Sequence, residues 1–401
     1  MSRLRTTSAG WSAAAGAVRL LTLLLVIDLG VSVMGPLIPQ IQRDFRVSAG
    51  AVALALGVYN GVRLLFNLPM SRYVARSRLP HTVATGGAIL AAGAVVAAAA
   101  PVFWVVIAGR AIMGLGSALF FLSVQFWLAR LATPDTKAQL FSYHQLAGLT
   151  GSALGPAAGG VLADWLSWRA SFGLAVAAGA VAAAVGRRLP GPGPSPDAPE
   201  RAAAAAERAR PGDVVGPGLC MLAFLFFHGG VLTTLIPLYA AREVHLGAAA
   251  IGTLLMVGTL QRFVSALLGG WLVRRYGTRP VVIGGLVALA LSVLSFLAVG
   301  SLGTLVLAVS LVSWANLGGS FVIAMITDRV PEARWGTALG VNRTLGDFGA
   351  MAAPVVIGFV IDDVGFQAAF VVASGFLLAT ALAAGALTAQ PGARPQPVRD
   401  T

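Results

Sequence analysis

The chain has 401 residues with 28 cationic and 15 anionic side chains, a formal net charge of +13, yet charged residues make up only 11% of it. Hydrophobic residues are 57% and 49 more residues are glycine, far above the roughly 45–50% apolar share of soluble domains, which excludes both a water-soluble globule and a disordered chain. Cations fall singly or in pairs between apolar runs instead of clustering on a solvated face, so nucleic acid is not the partner. One cysteine and four histidines leave no disulfide framework and no metal centre.

A membrane helix needs about 20 mostly apolar residues, and twelve runs reach that scale. The first, 17–39, follows Arg3 and Arg5 and exceeds the core of a secretory signal, so it reads as an uncleaved span. Asp28 lies about 11 residues, roughly 16 Å, from either end of it. The second run, 48–70, carries Tyr59, Asn60 and Arg63; the third is 81–100. The fourth, 102–129, holds Arg110 about 8 residues, or ~12 Å, from its outer end. The fifth, 139–163, contains His144 and Gln145 and then small residues around Pro156; the sixth is 169–186. Residues 187–215 are the one long polar stretch, read as a solvated tether. Beyond it come 216–241 with His228, 247–272 with Arg262, and 280–300. The last three are 302–327 with Trp314 and Asn316, 335–361 with Asn342, Arg343 and Asp347, and 365–389.

Loop cations orient the spans. With the N-terminus inside, twenty of the 28 cations fall on the cytoplasmic side, four outside (Arg43, Arg46, Arg169, Arg242) and four within spans. Both termini are therefore expected in the cytoplasm of a bacterial inner membrane. The expected architecture is all-α: twelve transmembrane helices in two pseudo-symmetric six-helix bundles, 1–186 and 216–401, joined by the 187–215 linker. The halves repeat each other. Asp28 matches His228 at an offset of 200, Arg63 matches Arg262 at 199, and Pro156, Gly160, Asp164 and Phe172 match Pro354, Gly358, Asp362 and Phe370 at 198. Parallel six-helix repeats with substrate held near the midplane are one architecture of secondary transporters.

Several motifs carry a resemblance to the major facilitator superfamily across residues 17–389. Gly151-Ser-Ala-Leu-Gly155-Pro156-Ala-Ala-Gly159-Gly160 fits the GxxxGPxxGG pattern of its drug:proton antiporter branches at every fixed position. Arg110-Ala-Ile-Met-Gly114-Leu-Gly116-Ser-Ala118 is similar to RxxQGxGxA with Met113 for glutamine, and Trp168-Arg169-Ala-Ser-Phe172 looks like WRxxF. The loop signature GxLxDRxGRR departs: Ala75 and, in the second copy, Arg274 stand where the family has aspartate. The resemblance implies a transporter and not an enzyme, exporting small amphipathic compounds such as drugs or metabolites by proton antiport. Uptake by proton symport or uniport is the alternative. It implies no cofactor beyond the proton gradient, with protons, membrane lipids and a small-molecule substrate as partners of a monomer.

Independently of the family, small residues at every fourth position let helix backbones approach closely, and Pro156 lacks a backbone donor. Gly151, Gly155, Pro156, Gly159 and Gly160 are thus expected to pack and gate. Charges at membrane depth face a cavity or a partner. A buried carboxylate that gains and loses an arginine neighbour is a device for taking up and releasing a proton. Asp28 is expected to be that site and Arg110 its tuner, against the plainer reading of a static ion pair. Arg343 and Asp347, four apart on one face, are expected to neutralise each other or to line a cavity together. Arg63 and Arg262 are too deep for easy snorkelling and are expected to face a cavity or a carboxylate. His144 and His228 read equally as proton carriers and as packing residues. Tyr59, Asn60, Gln145, Trp314, Asn316 and Asn342 together suit a cavity that binds amphipathic molecules; singly, each equally suits helix-interface hydrogen bonding.

Overall fold

The computed structural model describes residues 8–131, 137–189, 211–330 and 335–389. Arg3, Arg5, most of the 187–215 linker and the tail beyond 389 lie outside the described residues. Every regular element among the described residues is helical. Among the described residues twelve helices are long and apolar enough to cross a membrane, the number counted from the sequence.

The first six spans are Ser8–Val31 with Met34–Phe45, then Ala49–Arg76, Leu79–Ala98, Phe103–Leu131, Lys137–Trp165 and Trp168–Gly186. The seventh is Pro211–Phe226, a π-helical stretch Phe227–Leu235, and Ile236–Arg242; the eighth is Ala248–Tyr276. The ninth is Thr278–Val293, closed by a 3-10 turn at Leu294–Ala298. The tenth runs Leu302–Ala315, a 3-10 stretch Asn316–Phe321, and Val322–Thr327. The eleventh and twelfth are Trp335–Asp363 and Phe366–Leu387.

The chain divides into two compact units. One comprises 1–196 together with Ala240–Thr259, so the first part of the eighth span clusters with the first six; the other comprises Asp197–Tyr239 and Leu260–Thr401.

In the first unit the third span packs its glycines into the fourth. A Cβ on Gly93 would stand 2.6 Å from the Met113 amide nitrogen, and one on Gly109 would stand 2.6 Å from that of Ala97. Bare backbones meet there, which packs the helices by dispersion where the lipid offers no hydrophobic drive. The first span breaks at Ser32–Val33. Pro36 has no N–H for the Ser32 carbonyl four residues back, and its ring crowds that carbonyl, so the helix restarts at Met34. The fifth span lies along this broken helix: Cβ atoms on Gly151 and Gly155 would run into the carbonyl oxygens of Leu25 and Leu29.

At the end of the fifth span Asp164 caps the start of the eighth. Its carboxylate accepts the Ala248 and Ala249 amides at 3.0 and 2.8 Å and the Gln40 amide nitrogen Nε2 at 3.2 Å. Those helix-terminal N–H groups have no partner within their own helix, and negative charge there also suits the helix dipole. Asp164→Ala is expected to lower stability by about 1 kcal/mol and Asp164→Asn by less, read from thermal unfolding in detergent. Equal transitions in wild type and the alanine variant would contradict this.

In the second unit the seventh span widens into the π-helix where Gly229 and Gly230 meet the eleventh span at Ala350, Ala353 and Pro354. The Thr233 hydroxyl donates to the carbonyls of His228 and Gly229 at 3.0 and 2.8 Å, and the Thr234 hydroxyl donates to Gly229 at 2.8 Å. These hydroxyls satisfy carbonyls that a π register leaves poorly met, while Pro237 withdraws a donor one turn on. At the start of the seventh span Asp213 pairs with Arg329 at 3.2 Å, and Arg329 donates to the Thr388 carbonyl at 2.8 Å. Arg279 donates to the Gly385 carbonyl at 2.9 Å. Two arginines thus meet the free carbonyls at the close of the twelfth span.

Candidate functional site

Asp28, Arg63 and Arg110 lie around Tyr59 in the first unit, and in the second Arg262 meets His228 while Arg343 meets Asp347. In the first, Asp28 lies four residues before the Ser32–Val33 break, against the fifth span: a Cβ on Gly148 would come 3.0 Å from its Oδ2, and one on Gly151 2.8 Å from its Cβ. Absent side chains at Gly148 and Gly151 make the space for the carboxylate. The second span brings Tyr59 and Arg63, one turn apart on one face. Arg63 is the guanidinium whose charge acts on Asp28. It also stands 5.3 Å over the Phe121 ring and 5.7 Å over that of Tyr59.

Arg110 enters from the fourth span and is 1% exposed. Its Nε donates to the Ala55 carbonyl at 3.4 Å, its guanidinium stacks 4.3 Å over Tyr59, and its Nη1 has no hydrogen-bond partner. One turn on, Gly114 lets the Tyr59 backbone close in, since a Cβ there would stand 2.6 Å from the Tyr59 carbonyl oxygen. The expected neighbour of Asp28 is thereby exchanged. No ion pair within 4 Å joins Asp28 and Arg110 among the described residues, and Arg63 takes the place expected of Arg110. Two further residues complete the cluster: Ser117, which accepts the Tyr59 hydroxyl at 2.8 Å, and Phe121. Ser117 was legible, being polar in an apolar span and two turns from Arg110.

The second unit repeats the arrangement with different chemistry. Arg262 of the eighth span reaches His228 Nδ1 at 3.5 Å, inside the π-helix and at the repeat-equivalent of Asp28. Beside it Gln261 donates to the Ser310 hydroxyl at 3.0 Å and keeps a buried oxygen without a partner. Gln261 answers the same polar-in-a-span criterion that singled out Arg262. On the eleventh span Arg343 and Asp347 pair at 3.0 Å. Asn342 and Asn316 are buried within this unit, and the Asn342 amide oxygen has no partner.

Trp314, 41% exposed, shares an exposed helix face with Leu307 and Leu311. Gln145 is exposed, His144 half-buried, and the Asn60 amide nitrogen turns back to the Leu56 carbonyl of its own helix at 3.2 Å. At the degraded loop signature, Arg130 from the end of the fourth span donates to the backbone carbonyl of Ala75 at 3.0 Å. Ala75→Asp is expected to add about 0.2–1 kcal/mol of stability that Arg130→Gln removes, measured as a double-mutant cycle by thermal unfolding. A gain that survives loss of Arg130 would refute the pairing.

The family model described as Major Facilitator Superfamily matches residues 20–260 and 218–401. Among curated proteins, the "Multidrug efflux pump LfrA" of Mycolicibacterium smegmatis is 31% identical over 176 residues. That match covers 44% of this chain and 34% of the pump, so the chain matches about a third of that relative's length. Among solved structures, a peptide transporter POT in complex with sulfate superposes with a TM-score of 0.75 at 16% identity, covering 93% of this chain and 94% of that one. A bacterial homolog of the human lysosomal transporter Spinster, inward-facing and occupied, gives 0.73 at 15% identity over 93% and 94%. At such identities the likeness fixes the fold alone.

Proposed function

Because the chain belongs to the Major Facilitator Superfamily, we propose that it is a proton-coupled exporter of small amphipathic compounds, working by alternating access in a bacterial inner membrane with both termini in the cytoplasm. The observation that carries this reading is Asp28: a carboxylate deep in a span, in space left by Gly148 and Gly151, under the charge of Arg63. Such a group takes up or releases a proton when its surroundings change, which is what coupling needs. Rocking of the fifth span along the broken first span changes those surroundings, since Gly151 and Gly155 hold the two backbones in contact. The partial likeness to a multidrug efflux pump supports export over uptake and amphipathic compounds as cargo. The proton gradient is the only energy source in this scheme, and the protein works as a monomer surrounded by lipid.

The reading is tested in inverted membrane vesicles with an imposed pH gradient and a panel of amphipathic compounds. Substrate addition is expected to release protons from acidified vesicles in a protein-dependent way. Uptake of the compounds with protons moving alongside them would replace antiport by symport. No proton movement with any compound would end the proposal.

A further inference from the structure

Where the first span ends and the sixth begins, a cavity of about 360 Å³ is lined by Gln40, Arg43, Asp44, Ser167 and Trp168, all within the first unit. Aromatic packing fixes its wall: the Phe45 ring meets those of Trp168 and Phe103 at 5.7 and 6.0 Å, and Trp168 meets Phe172 at 6.1 Å. The Trp168 indole Nε1 donates to Asp44 Oδ2 at 2.6 Å, and Arg169 Nη1 stands 3.7 Å from the same oxygen. The other carboxylate oxygen, Oδ1, accepts nothing among the described residues. Arg43 donates its Nε to the Pro39 carbonyl at 3.4 Å, and its two terminal nitrogens have no acceptor among the described residues. Arg43 and Asp44 are consecutive on one helix, so they do not face each other, and they form no ion pair. Both are exposed. Gln40 gives its Nε2 to Asp164 and leaves its Oε1 for a donor.

The cavity therefore offers a free guanidinium fork and a free carboxylate oxygen that do not satisfy each other. Opposite charges held apart select a ligand that is itself both anion and cation. Guanidinium N–H groups match phosphate oxygens, and a primary ammonium brings three N–H donors to Asp44 Oδ1 and Gln40 Oε1. The surroundings select a lipid. Span ends lie at headgroup depth, where tryptophan side chains favour the membrane boundary. Trp165 and Leu166, just before Ser167, are 82% and 72% exposed, and Trp104, next to the Phe103 that packs on Phe45, is 68% exposed. Apolar surface beside a charged cavity suits acyl chains leaving a bound headgroup. We propose that this cavity binds the headgroup of a phospholipid carrying a phosphate and a primary ammonium, the chemistry of phosphatidylethanolamine, with Arg43 on the phosphate and Asp44 on the ammonium. The site needs only that the chain spans a membrane and is independent of what it carries.

Native mass spectrometry of the purified full chain in detergent reads lipid adducts directly. With acyl chains held the same, phosphatidylethanolamine is expected to bind at least fivefold tighter than phosphatidylcholine, whose quaternary ammonium has no N–H, and than phosphatidylglycerol, which has no ammonium. Arg43→Gln is expected to weaken phosphatidylethanolamine at least fivefold, with Arg43→Lys recovering part of the loss. Asp44→Asn is expected to remove the preference over phosphatidylcholine. The wild-type selectivity is decisive even where Asp44→Asn, which also alters the Trp168 contact, fails to fold. Equal binding of the three lipids, tightest binding of phosphatidylglycerol, or a preference untouched by both Arg43→Gln and Asp44→Asn overturns the assignment. Displacement by free O-phosphoethanolamine at the lipid's own concentration would make the site one for a soluble zwitterion and overturn the lipid. No transport enters the readout, so failure here leaves the exporter reading standing, and absence of proton-coupled flux leaves this site standing.

Discussion

Replacing Asp28 with asparagine is expected to abolish substrate transport driven by a pH gradient while leaving downhill exchange of the same substrate at or above one tenth of the wild-type rate. An amide fills the space beside Gly148 and Gly151 nearly as a carboxyl group does but carries no titrating proton. The coupling step is lost and the binding pocket kept. Asp28→Glu retains the titrating group and is expected to restore part of the coupling, with geometry rather than chemistry limiting it. Proteoliposomes containing an internal pH dye read both fluxes at once. Full pH-driven flux in Asp28→Asn would remove Asp28 from the mechanism. Equal loss of driven and downhill flux would make it a structural residue instead.

The second large effect is steric. In Gly151→Val the new Cβ would collide with the Leu25 carbonyl, 2.8 Å from Asp28 Cβ and 2.9 Å from the Leu29 amide nitrogen. Backbone atoms have no rotamer into which to retreat, so the first and fifth spans must separate, at about 3 kcal/mol. The expected result is a protein that assembles poorly and transports nothing. Gly173→Ala is the matched control. A Cβ there meets nothing within 4 Å, and alanine in a helix is favoured over glycine by up to about 1 kcal/mol. Wild-type stability and flux in Gly151→Val would mean that the seam is looser than the backbone contacts imply.

How far the sequence could be read depended on what each physical signal encodes. Apolar length is additive along a chain, so twelve spans were countable even where only Ala100-Pro101 or Gly300-Ser301 divides two runs. Hydropathy is blind to hydrogen-bond register. The break at Ser32–Val33 and the π-helix at Phe227–Leu235 therefore escaped it, although Pro36, Pro237 and the Thr233-Thr234 pair were their local marks. Depth could be counted and azimuth could not. Asp28 and Arg110 were placed at meeting heights, but Arg110 turns toward Tyr59 and Ala55, and Arg63 acts on Asp28. The repeat offset was the better guide. It matched Asp28 with His228 and Arg63 with Arg262, and each unit brings its own two together. Arg343 and Asp347 were the simplest case, because one helix fixes both height and azimuth.

The hydrogen bond from Arg130 to the Ala75 carbonyl bears on how the protein responds to the pH and salt of its surroundings. A backbone oxygen has no proton to accept across the physiological range and carries no formal charge for salt to screen. This contact thus holds equally in acid and alkali, where one to an aspartate at position 75 would weaken on acidification. Any bend in a plot of activity against pH on that side of the membrane then has one fewer possible origin, and titrating that face becomes a probe of the groups buried among the spans.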